Sequence, residues 1–173
     1  QQLQICVLRY FNPVGNHPSG FLADNPKFPL NLLPVITNRL LTGQKLKVFG
    51  SDYETLDGTP LRDYIHVEDI ASAHTVVLEK TMSNVSCSAE NRYSVYNVGL
   101  EKPVSVLKII DLYQTVNNIK IDYEITDRRS GDVPILSSNS KKLLGLGWTP
   151  KWKIEDCIQH CYQSYIQQQQ QQQ

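Results

Sequence analysis

Short apolar runs alternate along the chain with stretches in which apolar residues recur every three or four positions. Ile5-Cys6-Val7-Leu8 is continuous and apolar and is ended by Asn12-Pro13, which predicts a buried strand of a parallel sheet. Leu32, Leu33, Ile36, Leu40 and Leu41 fall at helical spacing. Asn31 is placed to cap that helix, Pro34 lies in the first turn where a missing N–H costs little, and Gly43 closes it. Leu46-Lys47-Val48-Phe49 alternates as a strand, and Tyr64-Ile65-His66-Val67 is a second β-like run. From Asp69 an apolar stripe through Ile70, Ala73, His74, Val77 and Leu78 predicts an amphipathic helix. The Ser- and Asn-rich positions 81–92 read as a surface loop, and 93–99 as a strand with a terminal glycine. Ser105 is placed to cap a helix carrying Val106, Ile109, Ile110 and Tyr113. Ile119, Ile121, Tyr123 and Ile125 alternate as a strand with one wet face, and Asn139 is placed to cap a short helix ended by Gly145. Ile154, Cys157, Ile158, Cys161 and Tyr162 mark the last amphipathic helix. Strands interleaved with helices predict an α/β fold with a parallel sheet. Residues 1–166 read as the folded part and 167–173 as a low-complexity glutamine tail to which no fold is assigned.

Composition narrows the function classes. Hydrophobic residues at 40% allow a core, and charged residues at 20% fit a soluble surface. The 17 basic and 17 acidic side chains cancel without a long single-sign block, which argues against nucleic-acid and polybasic membrane contacts. No apolar stretch reaches the roughly 18 residues of a spanning helix, and the first residues carry no signal-peptide pattern. Cys6, Cys87, Cys157 and Cys161 show no metal-ligand pattern, so no metal is expected. Cys157 and Cys161 align with Ile154 and Ile158 and read as buried reduced thiols, which suits the cytoplasm. His66 and His74 have no ligand set at metal spacing and read as structural.

Candidate chemistry centres on Arg62. Asp57-Gly58 followed by Thr59-Pro60 is a rigid turn, and the strand at Tyr64 follows it. An arginine held between a turn and a strand presents its planar fork to carboxylate or phosphate oxygens. The competing reading is a surface pair with Asp63 that contributes almost nothing. Ligands of open α/β sheets gather beyond the carboxyl ends of strands, where Tyr10, Phe11 and Asn12 fall; Asn12 reads equally as an Asx turn before proline. Phe49 reads as a strand-end aromatic or as core. Arg128-Arg129-Ser130-Gly131-Asp132 reads as a diphosphate clamp in which Asp132 orients an arginine of the pair or meets a ribose hydroxyl, or as a solvated charge cluster.

The run Phe49-Gly50-Ser51-Asp52-Tyr53-Glu54-Thr55-Leu56-Asp57-Gly58-Thr59, followed by Arg62-Asp63-Tyr64-Ile65-His66-Val67, resembles the UDP-glucose (UDP-galactose) 4-epimerases of the extended short-chain dehydrogenase/reductase superfamily. Leu8-Arg9-Tyr10-Phe11-Asn12-Pro13-Val14-Gly15 and Arg128-Arg129-Ser130-Gly131-Asp132 agree with the same family in the same order. The likeness covers nearly all of residues 3–160 but corresponds to about the C-terminal half of such an enzyme. It implies the substrate-binding lobe together with the last strands and helix of a Rossmann-type sheet. It further implies Tyr10 and Phe11 beside an NAD nicotinamide. Around a UDP-hexose it implies Asn12, Asn31, Leu32, Lys47, Val48, Phe49, Arg62, Arg129, Ser130, Gly131 and Asp132, with Leu136 against the sugar. The implied reaction interconverts UDP-galactose and UDP-glucose in galactose metabolism through a 4-keto intermediate with tightly bound NAD.

The family's Tyr-x-x-x-Lys pair and its glycine-rich dinucleotide turn are absent from these residues. None of the nine tyrosines has a lysine four positions on, and Gly145-Leu-Gly147 follows a helical pattern and lacks a third glycine. The family's pair is expected before Gln1, so no catalytic residue is assigned here, and an N-terminal half of the same enzyme is the expected partner. The resemblance also implies a homodimer, formed through helices largely upstream of Gln1. Two other readings stand beside this one. The first is a different sugar-nucleotide enzyme of the superfamily, which the Asp57-Gly58-Thr59 insertion argues against; the second is a non-catalytic nucleotide-sugar-binding module or fragment.

Overall fold

The structure, a computed structural model, describes residues 3–22, 28–83 and 93–171. The predicted α/β pattern is the one found. Strand β1 (Ile5–Tyr10) lies parallel to β6 (Tyr93–Val98), with Ile5 opposite Tyr93 and Tyr10 opposite Val98. β2 (Asn12–Val14) lies parallel to β5 (Tyr64–His66), and β3 (Leu46–Phe49) parallel to β8 (Tyr123–Thr126). β4 (Leu61–Arg62) is flanked by β7 (Val104–Ser105), antiparallel, and by β9 (Ile135–Leu136), parallel. The helices are α1 (Leu32–Thr42), α2 (Val67–Ser83), α3 (Val106–Asn117), α4 (Lys141–Leu144) and α5 (Ile154–Gln171).

Two cores meet at β5. Successive side chains of a strand point to opposite faces, and Tyr64 enters one core while its neighbour Ile65 enters the other. The first core joins Leu33 and Ile36 of α1, Ile109, Ile110 and Tyr113 of α3, and Cys157, Ile158 and Cys161 of α5. The second gathers Ile70, Ala73 and Val77 of α2 with Val98, Leu143 and Trp148. Both cysteines of α5 are buried as expected, and burial pushes the Cys157 thiol up, so it stays protonated. No described helix is long and apolar enough to cross a membrane.

Several expectations need correction. β1 is parallel but only partly buried: Ile5 is 47% exposed, whereas Cys6, Val7 and Leu8 are half-buried and Cys6 and Leu8 pack against the second core. A parallel strand is covered only when helices pack on both faces, and β1 has β6 along just one edge among the described residues. The alternation from Ile119 to Ile125 is strand only over β8. Ile119 N–H instead bonds the Gln114 carbonyl and Ile121 N–H the Gln114 side chain, which finishes α3. α4 starts one residue later than expected. Ser140 holds its N-cap position without a side-chain cap, while Asn139 Oδ1 accepts from Lys141 N at 3.3 Å. Asn31 occupies the N-cap of α1 without a side-chain capping bond. α2 extends through Ser83, so positions 81–83 are helix, and the rest of the expected loop at 84–92 lies outside the described residues. α5 continues through Gln171 into the run given no fold from sequence, because glutamine propagates a helix well once packed residues have nucleated it.

α2 also begins at Val67 rather than Asp69. His66 Nδ1 accepts from Glu68 N–H at 3.0 Å, so a fully buried histidine caps this helix. With Nδ1 accepting, Nε2 carries the proton and donates to His160 Nδ1 at 3.0 Å. Trp152 stacks on the His66 ring with centroids 5.1 Å apart. The Asp69 carboxylate is drawn away from the helix to accept Lys151 N–H at 2.8 Å and Trp152 N–H at 3.1 Å.

Candidate functional site

The turn before Arg62 is built from its own side chains. Asp57 accepts from Thr59 N–H at 2.9 Å, from the Thr59 hydroxyl at 2.7 Å, and from the Ser105 hydroxyl. Burial pushes the Asp57 carboxyl up, but these hydrogen bonds together outweigh it and hold the group below its ordinary value. Gly58 sits at φ +76°, where a Cβ would run into the Ser51 carbonyl, so only glycine closes the turn without strain.

Arg62 emerges from this turn on β4 with its side chain 14% exposed. One terminal nitrogen, Nη1, donates to the carbonyls of Leu61 and Val133, both at 2.9 Å. The other, Nη2, donates to Asp132 Oδ1 at 3.2 Å. Of the five N–H donors of a guanidinium, Nε–H and one Nη2–H make no hydrogen bond among the described residues. These two donors remain for carboxylate or phosphate oxygens.

Asp132 therefore orients Arg62, which corrects the expectation that it orients Arg128 or Arg129. Those two arginines diverge. Arg128 Nε donates to Asp52 Oδ1 at 2.6 Å, and its guanidinium lies 4.0 Å from the Tyr53 ring centre. Arg129 stacks 3.8 Å over the Phe49 ring. The reading of Arg62 and Asp63 as a surface pair also fails, because Asp63 is fully buried and its carboxylate bonds other partners.

The remaining site residues are placed as follows. Asn12 begins β2 opposite Tyr64, and its N–H donates to the Asp63 carbonyl at 2.9 Å. Leu136 stands opposite Arg62 on β9 and is 42% exposed. Lys47 and Phe49 share the outer face of β3, Lys47 exposed and Phe49 half-buried, whereas the Val48 side chain is 1% exposed and belongs to the core. Ser130 and Gly131 are exposed beside Arg129. Asn31 is exposed at the head of α1, and Leu32 packs against the first core. Arg62, Asp132 and Leu136 are thus joined directly, Asn12 through Asp63, and Phe49 to Arg129; Asn31 and Leu32 are positioned by α1.

Tyr10 stands 45% exposed at the carboxyl end of β1. His74 Nδ1–H donates to the Ile70 carbonyl at 2.8 Å, which leaves Nε2 to accept from the Tyr10 hydroxyl at 2.7 Å. Phe11 follows half-buried, its N–H bonded to the Val98 carbonyl at 3.1 Å. These residues offer one aromatic wall. A dinucleotide also needs a glycine turn feeding a helix N-terminus for its pyrophosphate. Among the described residues no helix is entered that way: α2 follows His66 directly and α3 follows Ser105. The described residues thus show an aromatic wall and no such turn. They also contain no group of three or more histidine, cysteine or acidic side chains able to hold a metal ion.

Comparison with known proteins adds the following. Residues 1–99 match the NAD dependent epimerase/dehydratase family. The chain is 43% identical over 157 residues to UDP-glucose 4-epimerase 4 of Oryza sativa subsp. japonica, across 88% of this chain and 41% of that protein. Among solved structures it resembles the UDP-glucose 4-epimerase of Stenotrophomonas maltophila with bound NAD and formylated UDP-arabinopyranose. That likeness has a TM-score of 0.90 at 33% identity, over 99% of this chain and 50% of the other. It also resembles the UDP-glucose 4-epimerase of Bifidobacterium longum in complex with NAD+ and UDP, at TM-score 0.83 and 35% identity, over 95% of this chain and 48% of the other. The chain thus spans about half the length of the relatives it matches.

Proposed function

Starting from a chain that belongs to the NAD dependent epimerase/dehydratase family, we propose that it supplies the UDP-hexose site of a UDP-glucose 4-epimerase. The observation that carries this reading is Arg62. Its guanidinium is fixed by Leu61, Val133 and Asp132 with two donors uncommitted among the described residues, and a second arginine lies stacked on an aromatic ring nearby in sequence to Asp132. Two guanidinium groups suit a diphosphate, and Phe49 suits a flat base. The NAD and the interconversion of UDP-galactose and UDP-glucose through a 4-keto sugar belong to the complete enzyme. There the dinucleotide is held largely by a part of the fold outside these residues, with Tyr10 and Phe11 as its near wall. A cytoplasmic enzyme, dimeric as assembled, completes this reading. The runner-up, a nucleotide-sugar-binding module without catalysis, is favoured for the chain alone by the absence of a Tyr-x-x-x-Lys pair.

The test is UDP titration into the chain and its variants. Arg62→Ala is expected to weaken binding by about 1.5–3 kcal/mol, the range for hydrogen bonds to charged groups, or roughly ten- to 150-fold. Arg62→Lys should recover only part, since a point charge cannot reproduce the fork. Unchanged UDP affinity in a folded Arg62→Ala chain would make Arg62 purely structural.

Substrate range turns on Leu136, directly across from Arg62. A leucine cannot hydrogen-bond a sugar, but its branched end occupies space that an acetamido group requires. Overpacking of this kind costs about 1–3 kcal/mol, a roughly ten- to hundredfold discrimination. A complete enzyme bearing these residues is expected to prefer UDP-glucose and UDP-galactose, and Leu136→Cys or Leu136→Gly to raise activity on UDP-N-acetylglucosamine. The ratio of kcat/KM for the two substrate types reads this out; a ratio near one in the parent, or no response to the substitution, removes Leu136 from the pocket wall.

A further inference from the structure

Asp63 is the residue at which the segments bearing Asn12, Arg62 and Leu136 are tied together, and we infer that it is a positioning residue for the proposed nucleotide-sugar site. It is fully buried. Its carboxylate accepts four hydrogen bonds: Leu100 N–H at 2.9 Å, Glu101 N–H at 3.0 Å, Ser138 N–H at 2.9 Å and the Ser138 hydroxyl at 2.5 Å. Its own carbonyl accepts Asn12 N–H at 2.9 Å, and its N–H donates to the Leu136 carbonyl at 3.1 Å. One side chain and the two peptide groups that flank it therefore fasten β2, the turn after β6 and the segment after β9 onto the strand that carries Arg62.

The surroundings leave no slack. Glu101 takes the left-handed backbone, φ 58°, an uncommon choice for a residue with a Cβ, and in doing so turns its N–H onto Asp63. A Cβ on Gly99 would lie 2.5 Å from Ser138 Oγ and 2.9 Å from Asp63 Oδ2. Ser140 extends the network by donating its hydroxyl to the Gly99 carbonyl and its N–H to Glu101 Oε1, at 2.9 and 2.5 Å.

The link to Arg62 is mechanical. Arg62 is aimed by two groups of the same incoming segment, Val133 O and Asp132 Oδ1. That segment is pinned to β4 beside Val133 by the Leu61 N–H to Pro134 carbonyl bond at 2.8 Å, and at its far end by Asp63, through Leu136 and Ser138. When the Ser138 anchor loosens, the segment keeps only its backbone bonds at Pro134 and Leu136, and Val133 and Asp132 gain freedom that weakens their hold on Arg62.

This inference rests on the proposed UDP-hexose site, and the experiment separates the two. The chain is labelled with 15N-arginine, and the Arg62 Nη–H signal, from the nitrogens that bond Val133 and Asp132, is assigned by its loss in Arg62→Ala. In the ligand-free chain this signal should be distinct and slowly exchanging. Ser138→Ala, which deletes one of the four donors and leaves the rest, should broaden it or move it toward solvent-exposed arginines. The same variant should lower UDP affinity about three- to tenfold, the scale of one hydrogen bond, with no further loss in the Arg62→Ala background. Asp63→Asn, which turns an amide N–H toward those donors, should do more; if circular dichroism shows it unfolded, Ser138→Ala alone decides. An Arg62 signal unmoved by Ser138→Ala, or an equal affinity loss with and without Arg62, overturns the positioning role while leaving the site intact. A parent chain that fails to bind UDP overturns the site, and the ligand-free Arg62 signal still judges Asp63.

Discussion

The 173-residue chain, given UDP-galactose and NAD, is expected to form no UDP-glucose above a mock purification. Moving hydride from a sugar carbon requires that the hydroxyl proton leave in the same event, and a positioned general base contributes about 10²–10⁴-fold to such a step. The family's base is a tyrosine with a lysine four residues later, and none of the nine tyrosines here has that lysine. Tyr10, the tyrosine expected nearest the cofactor, already donates its hydroxyl proton to His74 of α2 at 2.7 Å. No described helix N-terminus is fed by a glycine turn to fix the dinucleotide. Loss of base and of cofactor placement compound, so the expected shortfall is total within detection. Chromatographic separation of the two UDP-sugars is the measurement, and measurable turnover would mean that the chain holds catalytic groups unlike those of its relatives.

Acidification is expected to remove about 3 kcal/mol of folding stability between pH 6.5 and pH 4, through His66. Burial, aided by the neighbouring His160 charge, lowers the His66 pKa to about 4, against an ordinary value near 6.5. The unfolded chain therefore binds the proton more readily throughout that interval. Stability is fully present above about pH 6.5 and falls as the pH drops toward 4, at up to 1.36 kcal/mol per pH unit. The geometry says why: a second proton on the ring must sit on Nδ1, which destroys the acceptor for Glu68 N–H and uncaps α2. Burial lowers the His160 pKa as well, which adds in the same direction. The Asp69 carboxyl, raised by burial, works the other way and offsets a part as it protonates. Urea melts at pH 7 and pH 4.5 on the parent and on His66→Asn, whose side-chain oxygen can still cap Glu68, decide the matter. The parent should lose far more stability than the variant over that step; equal losses would clear His66 of the effect.

Helix and strand positions were largely legible in the sequence because the signals that set them act within about four residues. Ser105 caps α3 by accepting Lys108 N–H three residues on, and Gly43 ends α1 in the left-handed conformation, both as the pattern predicts. The apolar spacing in α1, α3 and α5 likewise marked the residues that fill the first core. The candidate site was legible as a set of residue types, since an arginine after a rigid turn and an arginine pair before a glycine carry their chemistry in composition.

The tertiary structure alone decided which groups meet. Arg62 binds Val133 and Asp132, 71 and 70 positions away, in place of its neighbour Asp63, and nothing local ranks those choices. Asp63 read from sequence as a surface charge, yet it is the buried anchor of three segments, because a carboxylate becomes tolerable inside once backbone and hydroxyl donors converge on it. The capping of α2 by His66 depended on a ring oriented by His160 and Trp152, 94 and 86 positions further along, and α5 ran on into glutamine because its nucleus was packed elsewhere. The incomplete burial of β1 was beyond the sequence for the same reason: an apolar run sets what a strand would bury, and only its neighbours set how much of it they cover.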